Sequence, residues 1–272
     1  MKPITDLSGY QAELAQMLLT VNRVCRENGL RFHLAYGTAL GAFRHQSLIP
    51  WDRDVDIHVR MDEFDDFCAT LRRELPPTLK VEDCRSSPDY ELLFPRIGAV
   101  GVQHHYLHID IFPVAGAPSS PVPQFLVIHA LKLLNHLFTA KKADFSKRVW
   151  WGFRTRLVAR LVRLVALPLT DNAIIRAHRR LTTRYPMTPS SPVMIVCGTY
   201  RRSDLLPERY FREPHPMAFL GDEFPMPSSP EEYLTHIYGD FRQLPSLEAR
   251  RDEEAFFDEV VLPGLNGDLR RQ

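Results

Sequence analysis

Apolar residues recur at helical spacing from Ile4 to Asn28, where Leu7, Leu14, Met17, Leu18, Val21, Val24 and Cys25 share a face and Gly29 follows as a C-cap. The spacing predicts a first amphipathic helix. Arg31–Tyr36 reads as a short strand that runs into Gly37-Thr-Ala-Leu-Gly-Ala-Phe-Arg-His45, where glycine and threonine allow a tight turn into a short helix that Pro50 stops. In Asp54-Val-Asp-Ile-His-Val59 polar and apolar residues alternate with period two, which predicts a strand with one buried face and an exposed face carrying the acids. Asp62 can cap a helix reaching Leu75, and Leu79–Asp83, Glu91–Ile97 and His105–Phe112 supply three more strand candidates. Helices interleaved with clustered strands predict an α+β fold.

Beyond Phe112 the pattern changes. Pro113, Pro118, Pro121 and Pro123 punctuate the chain, and Val122–Leu169 reads as helical and basic. Residues 121–169 hold Lys132, Lys141, Lys142, Lys147, Arg148, Arg154, Arg156, Arg160 and Arg163 against the single acid Asp144. The expected organisation is a core at 1–118 and a mostly helical, basic cap at 119–272 that completes the same unit. In the cap, a helix is expected from Asp171 to Arg184, a strand near Val193–Cys197 and a helix around Glu231–Tyr238. The interleaving of Leu133, Leu137, Phe138, Trp150, Trp151, Phe153, Leu157, Leu161 and Leu164 with these cations suits either an interfacial helix on anionic lipid or a cap helix packed on the core.

Composition narrows the class. The 272 residues are 44% hydrophobic and 25% charged, which excludes a disordered or disulfide-scaffold protein, and the formal charge of +1 gives no reason to coat nucleic acid. Cys25, Cys68, Cys84 and Cys197 form no paired motif, so they read as reduced thiols. No basic-then-apolar leader and no run of 18 uncharged apolar residues is seen, so a cytoplasmic protein is expected, with peripheral contact at the inner face of the membrane left open.

The candidate chemistry lies in residues 36–59. Residues i and i+2 of a strand point the same way with about 6.5–7 Å between their Cα atoms, so Asp54 and Asp56 can offer oxygens to one hard cation such as Mg²⁺. Gly37 and Thr38 open a short helix whose free N–H groups favour a phosphate. Asp110, in the alternating segment His108-Ile-Asp-Ile-Phe-Pro113, is the candidate third carboxylate, because a neighbouring strand lies about 4.8 Å away. Arg44 and His45 can bring positive charge or hydrogen bonds to a phosphate. His58 and His108 share faces with these acids, as ligands for Mn²⁺ or Zn²⁺ or as groups at the rim. Trp51 is a candidate for stacking or for loop packing.

The segments YGTALGAFRHQSLIPWDRDVDIHV, HIDIFPV and YLTHIYGDFRQLP together resemble the LicD family, which includes the fukutin-related proteins. The resemblance implies a nucleotidyltransferase-type fold, a mixed sheet flanked by helices. It also implies an activity that moves a phosphorylated alcohol from a CDP carrier to a glycan. On that basis Gly37 and Thr38 match the nucleotide-binding turn, with Arg44 and His45 beside it. Asp54, Asp56 and Asp110 match the catalytic, metal-holding acids, and Asp52 matches a position of less defined role. Arg53 departs from the family's run of three acids and bears on local charge and acceptor preference. The expected cofactor is Mg²⁺, with Mn²⁺ as a substitute; the expected donor is a CDP-alcohol, CDP-choline favoured. The expected acceptor is a glycan or lipid-linked glycan of lipopolysaccharide, teichoic acid or capsule, and an anionic membrane surface is a further expected partner. Asp110 either completes the metal shell or accepts the acceptor proton. The alternatives are an enzyme that moves NMP from an NTP, and a non-catalytic glycan- or membrane-binding relative.

Overall fold

Asp6 starts the chain's first helix, because its Oδ1 accepts the Gly9 amide at 2.7 Å; α1 (Leu7–Glu27) then buries Tyr10, Leu14, Leu18, Val21 and Cys25 along one stripe. The computed structural model describes residues 4–143, 152–198 and 204–269. Asn28, not Gly29, is the C-cap of α1, and Gly29 one residue on takes the left-handed φ of 65° that ends the helix.

Among the described residues, seven strands form the main sheet. They are β1 (His33–Leu34), β2 (Val55–Arg60), β3 (Leu79–Glu82), β4 (Arg96–Ala99), β5 (His108–Gly116), β6 (Pro192–Ile195) and β7 (Leu205–Pro207). The central strand, β5, is buried throughout its length. One edge of β5 pairs with β2 in parallel; the other pairs antiparallel with β4 over its first half and with β6 over its second. β1 extends the sheet beyond β2, β3 beyond β4, and β7 beyond β6. The sheet thus draws two strands from beyond Pro118. A separate hairpin joins β8 (His215–Phe219) to β9 (Asp222–Met226) through Leu220 and Gly221, both at positive φ, the backbone a two-residue hairpin turn needs.

The helices follow the expected order with shifted ends. α2 (Tyr36–His45) stops at Gln46, which adopts φ 53°, before Pro50 is reached. α3 spans Phe64–Glu74, starting after Asp62, whose side chain instead pairs with Arg60. α4 (Pro121–Lys142) and α5 (Phe153–Ala166) pack together in the basic region, followed by α6 (Asp171–Thr182). α7 (Pro230–Tyr238) lies against α2, and α8 (Leu247–Phe256) runs through a π-helical turn into α9 (Leu262–Leu269). Lys147, Arg148, Trp150 and Trp151 of the expected basic helix lie outside the described residues.

The core on the α2 side of β2 is aromatic. Tyr36, His58, Phe112, Phe211 and Tyr233 meet edge to face, with ring centroids 5.1–6.4 Å apart. His58 therefore does not share an exposed face with the acids. It is fully buried, and its Nε2 lies 3.0 Å from the Tyr233 hydroxyl. Burial first, and neighbouring His33 second, hold it well below the usual histidine range, so the ring is neutral. The period-two reading fails at this position because α7 and the 208–211 turn cover what the alternation assigned to solvent.

Candidate active site

Parallel pairing of β2 and β5 sets Asp56 directly opposite Asp110. Asp54 is exposed and stands one residue before β2, at the mouth of the same cleft. The three acids line one cavity of about 480 Å³ together with Gly37, Arg44, Trp51, Asp52, Tyr238 and Asp240. The sequence-predicted acids, the glycine turn and Arg44 are therefore brought together, and the C-terminal YGDF segment closes the other wall.

The turn from β1 into α2 is held on several sides. Tyr36, the first residue of α2, sits at φ 41°, a region costly for a bulky side chain. Its amide donates to the Tyr233 hydroxyl at 3.1 Å and its hydroxyl donates to Asp204 at 2.8 Å. The next residue is glycine because Asp52 approaches: a Cβ on Gly37 would stand 2.5 Å from Asp52 Oδ2. The opening amides of α2 have no intrahelical acceptor and carry the positive end of the helix dipole. Thr38 plays another part than direct contact through its hydroxyl: buried, it accepts the Asp56 amide at 2.8 Å and so fixes the start of β2. Gln11 of α1 donates to the carbonyls of Ile49 and Asp52, at 2.8 and 2.5 Å, and anchors the acid-bearing loop.

Arg44 faces the cavity and donates to the Phe241 carbonyl at 3.2 Å. His45 does not line the cavity. Its Nε2 accepts from Arg44 Nε at 3.0 Å, so it steers Arg44, and its ring meets Trp51 edge on. Burial and then the Arg44 charge lower its basicity. Trp51 in turn carries the Arg250 guanidinium 4.8 Å above its ring.

The acids repel one another. Burial, then the charges of Asp110, Asp54 and Asp52, push Asp56 well above the usual carboxylate range; burial and Asp54 raise Asp52 as well. Such a cluster needs a cation. One is supplied by Arg96, whose Nε and Nη2 donate to the two Asp110 oxygens at 2.5 and 3.2 Å. Burial alone would lower Arg96, yet Asp110 holds it well above its ordinary value; Asp110 is raised by burial against the lowering by Arg96. No local motif marks Arg96, which reaches Asp110 only because the antiparallel register of β4 and β5 sets the two opposite each other. Asp54 and Asp56 feel its charge but accept no hydrogen bond from it. Three carboxylates, with no histidine or cysteine among the described residues lining the cavity, suit a hard divalent ion.

Arg53 turns away from the acids, as its place between Asp52 and Asp54 suggests: it pairs with Glu253 and lies 4.5 Å over the Phe256 ring. His108 is buried, with its Nε2 3.6 Å from Asp110, and burial holds it well below its usual range. A second cavity of about 240 Å³ shares Asp54 and Asp110 with the first and is walled by Arg53, Arg96, His105, Tyr106 and Phe256. The acids thus stand between two compartments.

A mixed sheet sets the carboxylate cluster opposite a helix N-terminus, and the segment that builds this arrangement matches a known family. The family described as LicD/FKTN/FKRP, nucleotidyltransferase domain, matches residues 29–156, a span that holds α2, β2, β4 and β5 and so the acids and Arg96. Residues 29–156 thus carry a LicD-family domain. The chain is 22% identical over 270 residues to the lipopolysaccharide cholinephosphotransferase LicD of Haemophilus influenzae, covering 92% of this chain and 96% of that protein. It is also 34% identical over 58 residues to an uncharacterized protein of Rickettsia prowazekii, covering 21% of this chain and 22% of that one.

Proposed function

We propose that this protein is a Mg²⁺-dependent transferase of nucleotidyltransferase-type fold that moves phosphocholine, or a similar phosphorylated alcohol, from a CDP-alcohol to a hydroxyl of a cell-surface glycan and releases CMP. The observation that carries the reading is the cluster of Asp54, Asp56 and Asp110 facing the opening turn of α2 at the junction of two cavities. The name of the Haemophilus relative supports phosphocholine as the group moved and lipopolysaccharide as the acceptor class.

In this reading Asp54 and Asp56 hold the cation, and Asp110, steadied by Arg96, adds the third carboxylate. When bound, Mg²⁺ supplies charge neutralisation at the donor pyrophosphate. The α2 amides at Gly37 and Thr38, with Arg44, orient the donor phosphates in the larger cavity. The acceptor enters the smaller cavity. Its oxygen forms a bond to the distal phosphorus, the phosphoanhydride bond to CMP breaks, and the proton passes to Asp54, the acid shared by both cavities that is not hydrogen-bonded to Arg96. Positioning and electrostatics supply most of such a rate.

The acceptor class also gives a role to α4 and α5. Val122, Phe125, Leu126 and Leu133 on α4 and Leu157, Val158, Leu161, Leu164 and Val165 on α5 are exposed, beside exposed Arg154 and Arg160. No helix of the described residues is long and apolar enough to cross a membrane. This face instead rests on an anionic membrane and brings the enzyme to lipid-linked glycan at the inner surface.

Calorimetry with CDP-choline, CDP-ribitol, CDP-glycerol and CTP, with and without Mg²⁺, tests the reading. Mg²⁺-dependent binding of one CDP-alcohol, lost in Asp54→Asn, is expected. Binding of CTP alone, or metal-independent binding that survives the substitution, overturns it.

A further inference from the structure

A cluster that the acidic site does not use forms where the loop before β5 meets the segment leading into β4. Glu91 is 3% exposed, and its carbonyl accepts the Thr139 hydroxyl of α4 at 2.9 Å. His104 and His105 occupy the middle of a turn closed by the Tyr106 amide on the Gln103 carbonyl at 3.0 Å. Central residues of one turn can aim to the same side, and the two imidazole centroids are 4.0 Å apart. From Glu91 Oε1, the Nε2 atoms of His104 and His105 lie 3.8 and 3.1 Å away. One ligand atom from each of the three lies within 4.8 Å of the others.

We propose that Glu91, His104 and His105 form a binding site for a divalent transition-metal ion of the Zn²⁺ class, separate from the carboxylate site. Bond lengths of about 2.0–2.1 Å around tetrahedral zinc place ligand atoms about 3.3–3.4 Å apart, a separation the two observed Glu91–histidine distances bracket. Two imidazoles and a carboxylate select such an ion over Mg²⁺, which prefers oxygen alone. Buried His104 Nε2 makes no hydrogen bond among the described residues. Ammonium groups lining the same cavity are engaged with other acids, Lys80 with Glu82 at 2.9 Å and Lys142 with Asp171 at 2.6 Å. Three protein ligands leave a fourth position for water or another donor.

The site's place in the fold gives it a task. The His104 carbonyl accepts Arg96 Nη1 at 2.8 Å, and Arg96 clamps Asp110; His105 also walls the second cavity. An ion that fixes both imidazoles fixes the turn, and through it the guanidinium beside the acids. Glu91, His104 and His105 are therefore positioning residues.

The test is Zn²⁺ titration of the full-length protein in excess Mg²⁺, with metal content measured after dialysis. The proposal expects about one retained equivalent, also in Asp54→Asn, and a rise in Tm of about 5 °C. Glu91→Gln, His104→Ala and His105→Ala should each weaken binding at least about 10-fold. Co²⁺ added to the unaltered protein gives a readout that survives any misfolding of these variants: intense visible bands of a tetrahedral ion are expected. No retained Zn²⁺, loss of the ion to Mg²⁺ or to Asp54→Asn, unchanged affinity in all three variants, or only the weak octahedral Co²⁺ spectrum each overturns the proposal.

Discussion

Arg96→Met tests whether the acids are held together by a buried counter-charge. The side chains of Arg96 and Asp110 are 14% and 12% exposed, and methionine keeps most of the stem's apolar volume while removing the guanidinium. Three hydrogen bonds disappear, two to Asp110 and one to the His104 carbonyl. A unit charge pair near 3 Å at an effective dielectric of 20 is worth about 5 kcal/mol, and breaking a buried pair from one side costs about 3–5 kcal/mol. For a chain of this size that corresponds to a fall in Tm of about 6–15 °C.

The pH dependence separates a charge effect from a packing effect. Without Arg96, Asp110 loses its main lowering influence and its folded-state pKa rises further above the unfolded value. A raised carboxylate costs stability above its folded pKa, and that cost fades as pH falls and the folded state takes up the proton. Urea denaturation should therefore show the Arg96→Met deficit at its largest near pH 8 and shrinking toward pH 5. Asp110→Asn combined with Arg96→Met should recover part of the loss. A deficit below about 1 kcal/mol at pH 8, or one that is equal at both pH values, would refute the argument.

Other perturbations follow from the same geometry. Asp56→Asn should lower turnover at least about 100-fold while leaving Tm at pH 8 unchanged or raised, because it removes a buried, repelled charge; a large drop in Tm would contradict this. Gly37→Ala drives a Cβ to within 2.5 Å of Asp52 Oδ2, so CDP-alcohol affinity should fall about 10-fold or more, and calorimetry giving unchanged affinity would count against the turn as a phosphate site. Burial holds His178 down to about 4, so its neutral form contributes on the order of 3 kcal/mol that is present above the unfolded value near 6.5 and lost as pH falls toward 4. His178→Gln should flatten that acid limb relative to the parent in urea titrations. Leu161→Glu with Val165→Glu, at positions 55% and 69% exposed, should reduce sedimentation with anionic vesicles several-fold with Tm unchanged; undiminished vesicle binding would assign the face another task.

How far the sequence discloses this arrangement depends on the range of the interactions involved. The stripe of α1, the glycine turn into α2 and the acids of β2 and β5 are local signals, and the chain folds accordingly. Local patterning also anticipated that Asp54 and Asp56 would face one cleft. It failed at His58, because alternation reports which residues share a side of a strand and not what later covers that side. Here α7 brings Tyr233 across 175 positions to bond the ring. It failed as well for Arg96, His104 and Glu91, whose roles arise from strand register and a loop closure that no single segment encodes.

The same distinction explains how the site can tolerate its own repulsion. Each acid of the cluster is delivered by local structure, while its restraint comes from afar: Gln11 anchors the loop before Asp54 from α1, and Tyr233 holds the α2 turn from α7. Arg96 sets a fixed positive charge hydrogen-bonded to Asp110 from the neighbouring strand, leaving Asp54 and Asp56 the less compensated pair. A second cation is then most favourable on the α2 side of the acids, where the donor phosphates would meet the helix dipole, and not on the β4 side, where Arg96 already stands. The guanidinium thus gives the cluster a direction. If Arg96→Met permits a divalent ion to bind with all three acids, its affinity should rise while turnover falls, because the ion would be drawn toward Asp110 and away from the opening turn of α2. Metal titration monitored by calorimetry reads both the affinity and its dependence on Asp110→Asn, and a weaker ion in Arg96→Met would show that the guanidinium organises the acids more than it competes with the metal.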